Sequence, residues 1–486
     1  MEIEAFLMQS DQFRLGELVT EQPHPETIGL AEMAQTDLYR ALDSFQRVDR
    51  MAMDRLQASL APLPDLTESI RDTLRSGNRV YIAGCGATGR LALSLETFAR
   101  EAWLDRGMED RIVAFMAGGD AALIRSIESF EDYPDFGRRQ LRELGFGNDD
   151  LLIAITEGGE TPWVIGACLE AADRSTRNPW FIFCNPPALL RRLARRCGEV
   201  LDHPMVRPFF LDIGPMALAG STRLQATTTQ MLVAGAALCQ ALGRSSAVDL
   251  IEEFHQLLGG LDYTRLAPFT EAEATVYRKG DHVLYSTDRY GITVLTDTTE
   301  RSPTFSINPF ENRDRPEEPP SGCYLCQQGF SDSASAWTLL LGRPPRTLDW
   351  EEFRTRASLE TLLGYDISEQ APDWRAQRHP DKRHYPFLVH QDSVVLEFAG
   401  HRIDLGLEDR PVLVRHLILK CLLNAHSTLL MGRLGLFESN LMTHVKASNY
   451  KLIDRAARHA QHHHRQKTGT DLPYEEAVRL VFSRLK

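Results

Sequence analysis

The chain has no unbroken apolar stretch of the roughly 18 residues that a membrane-spanning helix needs, so no membrane partner is expected. It also lacks a basic excess. Its 54 lysines and arginines face 67 aspartates and glutamates, and the net charge of −13 argues against polyanionic partners such as nucleic acid. Cysteine is sparse, eight in 486 residues, and falls mostly inside apolar runs, which suits reduced thiols rather than a disulfide framework. Cys323-x-x-Cys326 has a metal-ligand spacing but no second pair nearby, so it reads as a loop and not a zinc site. His462, His463 and His464 sit in a polar, basic segment that reads as an exposed helix face. No metal and no cofactor is expected. The acidic Glu2 and Glu4 and the want of a signal-length apolar core there predict a cytoplasmic protein.

What is present is an ordinary globular composition, 43% apolar and 25% charged, on a chain longer than one core usually fills. From Leu66 to about Gly243, short apolar runs at 79–84, 111–116, 150–156 and 179–184 alternate with helical segments, the signature of a parallel sheet wrapped by helices. A second alternation begins near Asp281 with Val283-Leu284-Tyr285. It includes Ala336 to Leu341 and Ser393 to Phe398, and ends in the helical run Val412 to Leu430. A last helical segment is predicted from Leu436 to His463, with a short helix from Tyr474. The predicted fold class is α/β. Residues 1–62 form an N-terminal arm and helix, 63–250 a first α/β domain, 251–432 a second and degenerate one, and 433–486 a C-terminal helical lid.

The stretch Arg79 to Arg90 carries most of the functional information: Val80-Tyr81-Ile82-Ala83 enters the turn Gly84-Cys85-Gly86-Ala87-Thr88-Gly89, and a helix follows. Glycines let backbone N–H groups converge, Thr88 adds a hydroxyl, and the helix presents its positive end, so the turn is suited to hold an anion. Gly-x-Gly-x-x-Gly after a strand serves dinucleotides as well as sugar phosphates. The nucleotide reading wants an acid about 20 residues on. Here the next apolar run leads to Ala117-Gly118-Gly119-Asp120, well beyond that distance. In the second half the corresponding turn, Ser286 to Gly291, keeps one glycine and gains Asp288, so one competent anion site per chain is expected.

Several further stretches join this turn: Leu18 to Thr27, Glu128-Ser129-Phe130-Glu131-Asp132, Thr156 to Pro162, Cys184-Asn185-Pro186, Gly220-Ser221-Thr222-Arg223 opening a long helix, Asn440-Leu441-Met442 and Ser448 to Leu452. In this order they resemble the sugar isomerase (SIS) superfamily, within it the branch of N-acetylmuramic acid 6-phosphate etherase and the glucokinase regulatory protein. The resemblance implies two tandem SIS domains forming a pseudo-dimer within one chain and a phosphorylated hexose or amino sugar as ligand. A protein partner such as a sugar kinase belongs to the same comparison.

It also implies roles for particular residues. Gly86, Ala87, Thr88 and Gly89, with Thr156, Glu157 and Gly158, would cradle the phosphoryl group. Ser221 and Thr222 would cap the long helix or touch ligand, and Lys451 on the lid would neutralise phosphate or sugar oxygens. Arg90 at a helix start is expected to pack sideways, and Arg223 to pair with a carboxylate or touch ligand. An etherase uses two glutamates in unequal environments, one as base as lactate leaves. Glu128 falls at one position. At the other stands Phe98, with Glu96 pointing elsewhere, and Glu300 of the second half is the expected replacement. Glu157 and Glu160 occupy places where the family has small or neutral residues, or Arg or Ser; they would weaken the binding of a dianion unless they turn outward, so a sugar with a cationic or unphosphorylated group stays open. The resulting expectation is a sugar-phosphate sensor or regulator. A carbon–oxygen lyase using Glu128 and Glu300 is the alternative, and an aldose–ketose isomerase or a nicotinamide enzyme fits less well.

Overall fold

The computed structural model describes residues 3–13, 15–127, 130–444 and 450–484. Its first half is built on five strands: β1 (Val80–Gly84), β2 (Ile112–Met116), β3 (Leu151–Ile155), β4 (Trp180–Phe183) and β5 (Arg207–Phe210). They are hydrogen-bonded in the order β2-β1-β3-β4-β5, and every pairing is parallel. The first four strands are buried along their whole length because helices cover both faces, which is why they read as continuous apolar runs. The chain leaves β1 toward one side of the sheet and reaches β3 on the other. The crevice at the carboxyl ends of β1 and β3 is thus the topological switch point where such sheets hold ligands.

The second half has its own sheet, in the order β10-β9-β8-β6-β7: β6 (His282–Thr287), β7 (Cys323–Gln327), β8 (His384–His390), β9 (Val395–Phe398) and β10 (His401–Asp404). It is parallel across β6, β7 and β8 and antiparallel from β8 through β10. The fold is α/β with two sheet-centred domains and C-terminal helices. The Cys323-x-x-Cys326 segment, read as a loop, is strand β7. Both thiols are buried, and no group of three or more metal-ligating side chains occurs among the described residues. Ala336–Leu341 lies in the helix Ser333–Leu341, whereas Val395–Phe398 is a strand. No helix among the described residues is long and apolar enough to cross a membrane.

Residues 436–444 are not helical, contrary to expectation. The helix Val412–Arg433 stops near Gly435, whose φ is +73°, and the C-terminal helices are Tyr450–Thr468 and Tyr474–Arg484. Between them Asn440 donates to His24 O at 2.9 Å and to Thr27 Oγ1 at 3.0 Å, which ties this segment to the N-terminal arm in place of helical bonding.

The two halves are joined by buried charge. Arg343 donates to Glu96 Oε2 at 3.0 Å and to Asp120 Oδ2 at 2.6 Å, and Arg346 reaches Glu96 Oε2 at 2.9 Å. Arg223 donates to Asp297 Oδ1 at 3.0 Å, the carboxylate partner considered for it. Removing one member of a buried pair strands the other charge in low dielectric, which costs about 3–5 kcal/mol. Arg343→Met is therefore expected to lower the unfolding free energy by about that amount in urea denaturation, whereas removal of an exposed partner such as Arg195 changes it by less than about 1 kcal/mol.

Candidate functional site

The turn after β1 is shaped by three glycines for three different reasons. A Cβ on Gly84 would lie 2.3 Å from Thr88 O, and one on Gly89 would lie 2.5 Å from Met116 Cβ, so these two allow the helix Ala87–Phe98 to press against the sheet. Gly86 has open space around it but adopts φ +53°, ψ −120°, a conformation that side chains disfavour. Thr88 does not point its hydroxyl outward. It donates to Cys85 O and accepts from Cys85 N, both at 3.0 Å, closing the turn on itself. Among the described residues no acceptor meets the N–H groups of Gly86 or Ala87, which remain as a nest at the helix N-terminus.

This nest forms one wall of a cavity of about 180 Å³. The loop after β3 supplies Thr156, Glu157, Gly158 and Thr161, and Gly220, Ser221 and Thr222 lie opposite. The second half contributes Glu300, Pro303 and Thr304, and the C-terminal segment contributes Met442, Lys451, Leu452 and Arg455. Gly86, Ala87, Thr88, Thr156, Glu157, Gly158, Ser221, Thr222, Glu300 and Lys451 thus line one space. Gly89 does not line it. Glu128 lies outside the described residues, as do Ser129, Ser448 and Asn449. Ser221 is no helix cap: the long helix begins at Gln225 without a side-chain cap, and the buried Ser221 Oγ has no hydrogen-bond partner among the described residues.

Arg90 packs sideways. It donates to Thr299 Oγ1 at 3.3 Å and to the carbonyls of Ala122 and Leu123 at 3.3 and 2.8 Å, and it is ion-paired with Glu300. This pair brings the second-half helix Gly291–Phe305 to the cavity, a role that nothing in the local sequence pattern around Arg90 signals. Phe98 is buried against His416, ring centroids 4.2 Å apart, and is not part of the cavity wall.

Glu157 and Glu160 are buried, and cations meet them inside. Lys451 Nζ stands 3.6 Å from Glu157 Oε2 and 3.3 Å from Glu160 Oε1, and Arg196 donates to Glu160 Oε2 at 2.9 Å. Burial alone would raise the Glu160 carboxyl, but Lys451 and Arg196 hold it below its ordinary value. Glu157, with less compensation, is raised by burial and by the charge of Glu21. Lys451 thus serves two carboxylates. Arg455 beside it donates to Glu21 Oε2 at 3.1 Å, which clamps the N-terminal arm to the C-terminal helix.

A further acidic pair went unassigned to the site. The Cys85 thiol donates to Glu131 Oε2 at 3.1 Å. Burial, with help from Glu131, pushes the Asp132 carboxyl up to about 8, although the Tyr450 amide donates to it. Their sequence signal was the acidic run 128–132, from which only Glu128 was singled out.

The second half has no counterpart to the nest. At the turn after β6, Gln327 Nε2 donates to Asp288 O at 3.2 Å, and its Oε1 lies 2.2 Å from where a Gly291 Cβ would be, so a side chain fills the corresponding space.

A family model, the glucokinase regulatory protein N-terminal SIS domain, matches residues 65–172. The N-acetylmuramic acid 6-phosphate etherases of Pectobacterium atrosepticum and Rubrobacter xylanophilus are 30% and 32% identical over 227 and 221 residues. Those matches cover 46% and 45% of this chain and 69% and 67% of the two relatives. Among solved structures, the C-terminal domain of glucosamine-fructose-6-phosphate aminotransferase from Francisella tularensis aligns at a TM-score of 0.42 and 11% identity, over 82% of this chain and 95% of that one.

The pH response of the acidic pair has a defined sign. Asp132 retains in the native state a proton that the unfolded chain loses near 3.8, so its contribution to stability is full below pH 4 and is lost as pH rises toward about 8. Asp132→Asn, which cannot ionise, is expected to melt at a higher temperature than the unsubstituted protein at pH 9, with the difference vanishing at pH 4. Differential scanning calorimetry across that range checks it.

Proposed function

Because this chain belongs to the SIS superfamily, in the branch that holds the N-acetylmuramic acid 6-phosphate etherases and the glucokinase regulatory protein, we propose that it binds one phosphorylated hexose or amino sugar in the cavity between its halves, as a cytoplasmic sensor rather than a turnover enzyme. In this reading residues 63–250 hold the phosphoryl group and 251–432 close over it, with 1–62 and 433–486 as arm and lid. The N–H groups of Gly86 and Ala87 take phosphate oxygens, and that of Gly158 faces the sugar. Thr156, Ser221 and Thr222 offer hydroxyls to the phosphate or the sugar, Thr88 holds the turn in shape through Cys85, and Glu300 accepts from the sugar across the cavity.

The observation that carries the reading is the meeting, in one cavity, of backbone N–H groups that no acceptor among the described residues meets with the buried Ser221 hydroxyl, which likewise has no hydrogen-bond partner among them. What favours binding over turnover is Phe98. It takes the place where the etherase resemblance expects a glutamate, and a phenyl ring in the core cannot move a proton. The second reading, a lyase acting on N-acetylmuramic acid 6-phosphate through Glu128 and Glu300, is favoured by the identity to etherases and by Glu300 facing the cavity.

Thermal shift with a panel of hexose and amino-sugar phosphates tests binding. A ligand at 100 times its dissociation constant adds about 2.7 kcal/mol of stability, and inorganic sulfate at equal concentration is expected to add far less. Incubation with N-acetylmuramic acid 6-phosphate is expected to release no lactate. Stoichiometric lactate that disappears in Glu128→Gln establishes the lyase instead.

A further inference from the structure

The acids in and around the cavity are not balanced evenly. Of those that line it, Glu300 is held by Arg90 and Glu131 accepts from the Cys85 thiol; near it, Glu21 is held by Arg455 and Arg458, and Glu160 by Arg196 and Lys451. Glu157 has no arginine, only a share of Lys451. It is 3% exposed, it lines the cavity, and neither of its oxygens meets a hydrogen-bond donor among the described residues, with the Thr20 hydroxyl beside it and Lys451 Nζ at 3.6 Å shared with Glu160. A buried carboxylate met only by a shared ammonium and a neighbouring hydroxyl is costly, and a ligand that supplies further donors relieves the cost. Phosphate cannot relieve it, because a dianion against this carboxylate adds repulsion. A group carrying positive charge and several N–H donors can.

Resting on the phosphosugar reading above, we propose that the ligand is a sugar phosphate with a free, protonated amine, and that Glu157 is the residue that reads the amine. The phosphoryl group sits at the Gly86–Ala87 nest and the ammonium at the loop after β3, so the two charges of a zwitterionic ligand meet opposite charges on two adjacent strand ends. Burial holds the Glu157 carboxyl above its usual range, and an ammonium alongside it favours the ionised form. An acetylated amine, neutral and with one N–H, does not supply this, nor does a hydroxyl.

Isothermal titration calorimetry with glucosamine 6-phosphate, N-acetylglucosamine 6-phosphate and glucose 6-phosphate tests the proposal. The free amine is expected to bind at least about tenfold more tightly than either of the others. In Glu157→Gln, whose fold is verified by its melting curve, that ratio is expected to collapse to within about twofold. Equal affinity for the three sugars in the unsubstituted protein overturns the proposal while leaving the phosphosugar reading in place, and needs no variant to do so. A preference that survives Glu157→Gln overturns the role of Glu157. Absence of binding to all three removes both readings.

Discussion

The arrangement of the cavity depends on the buried contact between Arg90 and Glu300. Neither charge is in water: Arg90 is 2% exposed and Glu300 7%. Taking both out of solvent is expensive, and the attraction offsets that cost only where the remaining donors are also met. Arg90 meets the condition with Thr299 from the second half and two carbonyls from the segment after β2. One guanidinium therefore fixes three pieces of chain: the helix that begins at the nest, the Ala122–Leu123 turn, and the second-half helix that carries Glu300. Such a pair adds little net stability but selects one packing of the halves, since any other leaves a charge stranded.

The C-terminal helix is held by the same kind of force. Lys451 meets Glu157 and Glu160, Arg455 and Arg458 meet Glu21, and the Tyr450 amide meets Asp132. Apart from Asp132, these partners lie on the N-terminal arm and on the loop after β3, so the docking of the helix, the seating of the arm and the charge of the cavity are one electrostatic problem. This explains how two carboxylates are tolerated in a loop whose backbone amides are suited to an anion. The lid brings the compensating cation, and Arg196 brings a second.

The strands of the first sheet were legible because helices bury both their faces and leave continuous apolar runs. Strand β7 was not, since Cys-Tyr-Leu-Cys is short and its cysteine spacing suggested another chemistry. The nest was legible from its glycines, yet only geometry separates Gly86, which needs its backbone conformation, from Gly84 and Gly89, which need only the absence of a side chain. Which acids face inward was the least legible feature. Glu157 and Glu160 look unfavourable beside an anion site in isolation, and their compensation comes from Arg196 and Lys451, the second almost 300 positions away. Long-range pairs of this kind leave no periodic trace. The same holds for Arg343 with Glu96 and Asp120, and for Arg90 with Glu300.

The asymmetry of the two halves follows from one side chain as much as from lost glycines. After β6 the chain still turns into a helix, and Gly291 still opens it, but Gln327 from the neighbouring strand occupies the space and donates to the turn's own carbonyl. The turn's carbonyl is thereby met by a side chain, the Tyr290 amide is met by Thr287 Oγ1 at 3.0 Å, and the turn becomes a structural joint. Relieved of a ligand of its own, the helix behind it is free to present Glu300, Pro303 and Thr304 to the cavity of the first half. The degenerate half is in this sense a wall of the intact one, and its sequence is constrained by what Arg90 and the cavity require of it.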